Sequence, residues 1–184
     1  MVILILICII ALVVWGISIN NSLIRKSTNV DEAWSQIDVQ LKRRNDLIPN
    51  LINTVKGSSK YEQTTLEKIT QMRQQLIKLD NGNDQKAIMD KSNELSQTLK
   101  SLFAVSENYP DLKASQQYQT LMEELSTTEN KIAYARQLYN STTADFNQSI
   151  KTFPNSLIAN MKHFTSKDYL ETPENEKQVP KVEF

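Results

Sequence analysis

The chain is 184 residues long and carries 21 Lys+Arg against 21 Asp+Glu, so its formal charge cancels at neutral pH. This length accommodates one domain with a substantial core, and the balanced charge provides no global field to draw nucleic acid or an anionic surface. A single cysteine, Cys8, and a single histidine, His163, exclude an intrachain disulfide and remove most support for a histidine-clustered metal site, a histidine pH switch or a Ser/His/Asp triad.

Three glycines and five prolines leave few helix breaks, and no run alternates apolar and polar residues in strand fashion. The expected class is all-α: one N-terminal transmembrane helix followed by a long antiparallel, up-down helical bundle. Residues 1–19, MVILILICIIALVVWGISI, are apolar apart from Ser18. As a helix they rise about 28 Å, close to the roughly 30 Å of hydrocarbon in a bilayer. A cleaved signal peptide would show a positive start and a small-residue cleavage site. Neither is visible, so residues 1–20 are read as an anchor, with Cys8 a small apolar residue in lipid. No basic side chain precedes the span, whereas Arg25 and Lys26 follow it. The positive-inside rule then places the N-terminus outside and the remainder in the cytoplasm.

Residues 21–165 read as the bundle. The first helix runs to about Gly57 with one stripe: Val30, Trp34, Ile37, Leu41, Arg44, Ile48, Leu51 and Val55 follow three- and four-residue steps. Pro49 lies inside that pattern and predicts a kink near Asn45–Pro49, with Asp46 and Asn50 placed to satisfy the freed backbone groups. A break into two helices is the alternative, although the stripe stays in phase beyond the proline. Gly57-Ser58-Ser59 supplies a stop and the next cap. The second helix carries Tyr61, Leu66, Ile69, Met72, Leu76 and Leu79, and Asp80-Asn81-Gly82-Asn83-Asp84 is a turn.

The third helix spans about 84–109, with Ile88, Leu95, Leu99, Leu102, Phe103 and Tyr109 on its face, and ends before Pro110. Asp111 or Ser115 can start the fourth. From Tyr118 to Phe153 it keeps a heptad-like rhythm and, if continuous, is on the order of 60 Å long. Pro154 stops it, and Asn155 or Ser156 can cap a short helix bearing Leu157, Ile158, Met161 and Phe164. Residues 166–184 are charged, interrupted twice by proline, and read as a flexible tail.

Four segments together resemble the LemA family of small bacterial membrane-anchored helical proteins. They are AWSQIDVQLKRRNDLIPNLINTVKG at 33–57, ENYPDLKAS at 107–115, LMEELSTTENKIAYARQLYN at 121–140 and FPNSLIANMKHF at 153–164. The resemblance implies an antiparallel, largely helical domain behind one transmembrane helix; it does not imply an enzyme, since the family is recognised by fold and motif. A branch of the family is associated with magnetosome membranes, which brings membrane organisation into view as a role. This chain departs from its relatives at Tyr61-Glu62, where they often carry His-Glu, and at Ser115-Gln116-Gln117-Tyr118, where they favour Asn-x-Asn-Phe. Those departures weaken any imidazole chemistry at the first place and the carry-over of specific polar contacts at the second.

The main polar constellation joins Lys42, Arg43, Arg44, Asp46 and Asn50 of the first helix to Glu129, Asn130, Arg136 and Asn140 of the fourth. Arg43, Arg44, Asp46, Asn50, Glu129 and Arg136 are candidates either for binding a partner protein or for an interhelical network, because partly buried charges need partners. Arg44 on the apolar stripe and Glu129 can form such a pair. Acidic residues near the fourth helix lack the Glu-x-x-His elements of a bundle metal site, so no metal or cofactor is expected. No nucleophile motif, phosphate-cradling loop or extended basic face for nucleic acid is present.

Phe153, Leu157, Ile158, Met161 and Phe164, flanked by Lys151, Lys162 and Lys167, form a different set. They have the pattern of a helix lying on a membrane surface, but one apolar face serves only one burial well, and closing the bottom of the bundle is the favoured use. The expected function is therefore a non-enzymatic, single-pass membrane protein whose bundle is an interaction or scaffolding domain for another membrane protein. Its bilayer contact is residues 1–19, and self-association is possible through the long stripe. Membrane-surface binding through 153–164 is the alternative.

Overall fold

Apolar residues at helical spacing fall into six helices among the residues that the computed structural model describes: 1–56, 63–80 and 84–171, the side chain of Val105 excepted. They are α1 (Val2–Lys56), α2 (Gln63–Asp80), α3 (Gln85–Ser106), α4 (Pro110–Ala114), α5 (Gln116–Lys151) and α6 (Asn155–Met161). No strand occurs among the described residues. The chain is an all-α helical bundle whose first helix, α1, begins as a long apolar stretch and continues unbroken into the bundle. The expected stop at Gly57-Ser58-Ser59, the Tyr61 position, residues 81–83 of the turn and residues 172–184 of the tail lie outside the described residues.

Most of the stripe on α1 is internal: Val30, Ile37, Leu41, Arg44, Ile48, Leu51 and Val55 are all buried, and Trp34 is half-buried. The helix continues through Pro49 without a break. Proline has no N–H to donate to the carbonyl four residues earlier, and that carbonyl, Asn45 O, instead accepts a hydrogen bond of 2.9 Å from Arg73 Nε on α2. Asp46 and Asn50, expected to serve the freed groups, are exposed. An ionised aspartate has no proton to give a carbonyl, so a guanidinium from the neighbouring helix does the work.

Two compact units emerge. One combines Met1–Gln36 with Ala135–Tyr169. In it, Lys26 pairs with Asp145 at 2.5 Å, and Trp34 meets Tyr139 edge-on at 6.1 Å between ring centroids, so α1 and α5 run antiparallel. Phe146, only 1 % exposed, is met edge-on by Phe164 at 6.1 Å. Residues 2–15 of α1 are exposed, and α1, through its apolar N-terminal part, is the one helix among the described residues long and apolar enough to cross a membrane.

The second unit combines Ile37–Tyr134 with the chain from Leu170. Here α1 and α2 are antiparallel, as Arg73 on Asn45 and Lys42 beside Asp80 require. On the next pair of helices, Thr98 Oγ1 lies 3.5 Å from Met72 Sδ, joining α3 to α2. Ile37, Ile48, Leu51, Val55, Ile69, Met89, Leu95 and Leu102 fill this core.

Three helix boundaries differ from expectation. A short helix, α4, stands between the third and the long helix, with Pro110 in its first turn where a missing N–H does no harm. Ser115, one of the two expected starts, follows in extended conformation, and its hydroxyl accepts the Tyr118 N–H at 3.4 Å, opening α5. At the other end α5 stops at Lys151, and Pro154, rather than Asn155 or Ser156, occupies the cap position of α6. No side-chain cap is needed there, because Thr152 O and Pro154 O accept the N–H groups of Ser156 and Leu157.

The tail expected from residue 166 is packed down at its start. Asn147 is 6 % exposed and binds Lys167 twice: its Nδ2 donates to Lys167 O at 2.8 Å, and its Oδ1 accepts the Lys167 N–H at 2.9 Å. Tyr139 donates to Asp168 O at 3.3 Å, Lys167 Nζ reaches Asp31 at 2.6 Å, and Leu170 is buried. Charge and proline content do not reveal this docking, because the Asn147 amide, the Tyr139 hydroxyl and the Asp31 carboxylate that supply it lie far away in the sequence.

Candidate functional site

Arg44 is the centre of the polar constellation. The stripe that buries its neighbours carries it inside, where it is 2 % exposed. A buried guanidinium is tolerable only with its donors and its charge satisfied. Its Nη2 donates to Ser92 Oγ at 2.8 Å and its Nη1 to Ser96 Oγ at 2.5 Å, both on α3, and Nη1 lies 3.1 Å from Glu129 Oε2 on α5. Ser96 Oγ also donates to Glu129 at 2.9 Å. One side chain of α1 thus ties two other helices, and its charge is cancelled in place.

This cluster floors a cleft of about 300 Å³ between α3 and α5. Leu99, Phe103, Met122 and Leu125 form apolar walls, while Lys100, Ser126 and Asn130 stand at its edge. A concave apolar site with a few convergent polar groups has the chemistry of a binding site. Charge-neutral at its base, it suits an apolar or aromatic side chain better than an ion.

The other candidates are placed differently. Arg43 forms an ion pair with Glu124 at the surface, the two side chains being 44 % and 39 % exposed. Lys42 bonds Asp38 at 2.6 Å, and this hydrogen bond and the adjacent negative charge raise its pKa. Asp46 lines a smaller cavity of about 110 Å³ among α1, α2 and α3, with Lys42, Arg73, Asp80, Leu76 and Ile88. Asn50 is exposed on α1, whereas Arg136 is 3 % exposed and internal. The constellation is therefore not one surface: Arg44 and Arg136 are inside, and Arg43, Asp46 and Asn50 are outside.

The set read as a candidate membrane contact divides as well. Phe153, Leu157 and Met161 are 75 %, 56 % and 74 % exposed. Ile158 and Phe164 are half-buried, the latter against Phe146. Among the described residues no group of three or more His, Cys, Asp or Glu side chains is placed to hold a metal.

Sequence reasoning missed Ser92, Ser96 and Arg73. The first two carried a signal, because they sit four residues apart on the buried face of α3 among Met89, Leu95 and Leu99. A pair of hydroxyls on an apolar face announces a polar partner opposite. Arg73 carried none.

Comparison with known proteins agrees with the motifs. The LemA family model matches residues 33–184. Protein LemA of Metamycoplasma hominis is 31 % identical over 139 residues, covering 76 % of this chain and 63 % of that protein. The magnetosome protein MamQ of Magnetospirillum gryphiswaldense is 23 % identical over 158 residues, covering 73 % of this chain and 58 % of that protein. The chain thus spans about three-fifths of the length of these curated relatives. A family match that runs from the apolar stripe of α1 through the Arg44 and Glu129 segments to the last residue leaves one conclusion: the chain belongs to the LemA family.

Proposed function

We propose that this is a non-enzymatic, single-pass membrane protein whose helical bundle holds another membrane protein through the α3–α5 cleft. The cleft is the observation that carries the reading: apolar walls at Leu99, Phe103, Met122 and Leu125 over a neutralised polar floor. Support for the membrane setting comes from the apolar start of α1 and from the magnetosome relative named above. Anchoring keeps bundle and partner in one plane, so a weak apolar contact acts at high effective concentration. With Arg25 and Lys26 next to the span, the bundle faces the cytoplasm.

The test is photo-crosslinking in intact cells from a photo-reactive residue at Asn130, on the rim. A discrete membrane protein is expected in the crosslink, and Ser126→Trp, which fills the cleft from an exposed position, is expected to abolish it. Capture that is indifferent to Ser126→Trp, or capture of lipid or of the chain itself alone, would overturn the reading.

A further inference from the structure

The face of α6 left open by the fold has a use that the cleft does not supply. Ala159 is buried, Ile158 is half-buried, and the Ile158 Cδ1 atom lies 3.8 Å from where a side chain on Gly16 would begin. Gly16 belongs to the apolar stretch of α1, three residues before its end at Ile19. At 1.5 Å per residue the contact is about 5 Å inside that end. Helices that lie in a bilayer interface bury their apolar face about 5–10 Å into the boundary between headgroups and acyl chains. The depth set by Gly16 is the depth such a helix adopts.

On the opposite side of α6, Leu157 and Met161 are one turn apart and exposed, and Phe153 precedes them in the turn after α5. Lys151 and Lys162 are exposed at the two ends of the segment. An apolar patch flanked by ammonium groups matches a phospholipid leaflet, with hydrocarbon beneath and phosphate at its edge. Residues 2–15 of α1, which precede the Gly16 contact, are likewise exposed. We infer that α6 lies in the interfacial layer of the leaflet at the Gly16 end of the span, with Phe153, Leu157 and Met161 inserted among the lipids. This rests on α1 crossing the membrane and is independent of what occupies the cleft.

The experiment uses the full chain in nanodiscs of phosphatidylcholine and phosphatidylglycerol. An NBD fluorophore is placed on the native Cys8 in one sample and, in a Cys8→Ser background, on Leu157→Cys or on Tyr134→Cys. Leu157 and Tyr134 are both exposed, so labelling leaves the core untouched. The label at 157 is expected to be blue-shifted and to lose emission to lipid spin labels near the headgroup more than to those near the chain end. The label at 8 should show the opposite depth preference, and the label at 134 should lose none. Quenching at 8 with none at 157 would overturn the inference while leaving the anchor standing. Quenching at neither would overturn the anchor as well, and a blue shift at 157 without quenching would mean that protein, not lipid, covers α6.

Discussion

Pro49 and Arg73 should be energetically coupled through one carbonyl. In the native chain Asn45 O has no helical donor because residue 49 is proline, and Arg73 Nε holds it at 2.9 Å. A hydrogen bond from a charged donor contributes about 1.5–3 kcal/mol. Asn45 and Arg73 are both half-buried, so Arg73→Met, which keeps the alkyl stem, is expected to cost about 1.5 kcal/mol, the low end of that range. Pro49→Ala returns an N–H to the same carbonyl and removes the interior-proline penalty, a stabilisation of up to about 3 kcal/mol. With the carbonyl satisfied from within the helix, Arg73→Met should then cost no more than about 0.5 kcal/mol, leaving a coupling of about 1 kcal/mol. Urea unfolding of the full chain in mild detergent, followed by far-UV circular dichroism for the four members of the cycle, measures it. An equal cost for Arg73→Met in both backgrounds would refute the reasoning, because the guanidinium would then be serving something other than the carbonyl that proline vacates.

Arg44→Ala should be among the most damaging single changes, at about 3–4 kcal/mol, since it leaves Ser92 without its donor, Glu129 without its cation and a void in the core. In thermal unfolding that is a fall of roughly 6–16 °C for a chain of this size. Alkaline pH should loosen the fold through Tyr118 and Tyr139, whose pKa values burial raises above the ordinary 10.0. The folded chain keeps both protons where the unfolded chain loses them, so stability is level below about pH 10 and declines as pH rises through the folded values. Replacing both tyrosines by Phe should flatten that decline in a pH series of unfolding midpoints. Asn147→Ala should release residues 165–171, with amide exchange at Lys167 accelerating on the order of 30-fold for about 2 kcal/mol of lost hydrogen bonding. Unchanged protection at that amide would show that Tyr139 on Asp168 and the Lys167–Asp31 pair, not Asn147, hold the segment.

Periodicity made the helices legible because burial of a stripe is a local pattern, and the α1 residues from Val30 to Val55 read as buried are so, Trp34 by half. An arginine on such a stripe also had to have partners, and Glu129 was within reach as one. What periodicity could not yield was the identity of atoms meeting across helices. Arg73 on Asn45 depends on how α2 is rotated, and Asn147 on Lys167 depends on a chain reversal after α6. Neither is written in spacing. The face of α6 shows the same limit in another form: five apolar residues fitted one surface, and only the fold separates Ile158 and Phe164, turned inward, from Phe153, Leu157 and Met161.

The polar residues of the α1 and α5 motifs are thus partly consumed in holding this chain's helices together. Arg44 is surrounded by Ser92, Ser96 and Glu129, and Arg43 is paired with Glu124. A guanidinium already neutralised and hydrogen-bonded gains little by meeting a second carboxylate, because it would have to give up the first. On the two readings proposed above, recognition would be apolar in character, through Phe103 and Met122 at the cleft and through Leu157 and Met161 at the lipid. The two kinds of contact respond differently to salt. Ionic recognition at the surface would fade as salt shortens the screening length to a few ångströms, whereas apolar capture in the cleft would persist. Crosslinking from Asn130 that survives high salt and fails with Ser126→Trp would assign the energy to the cleft walls, and the charged motifs would then stand as the architecture that keeps those walls apart.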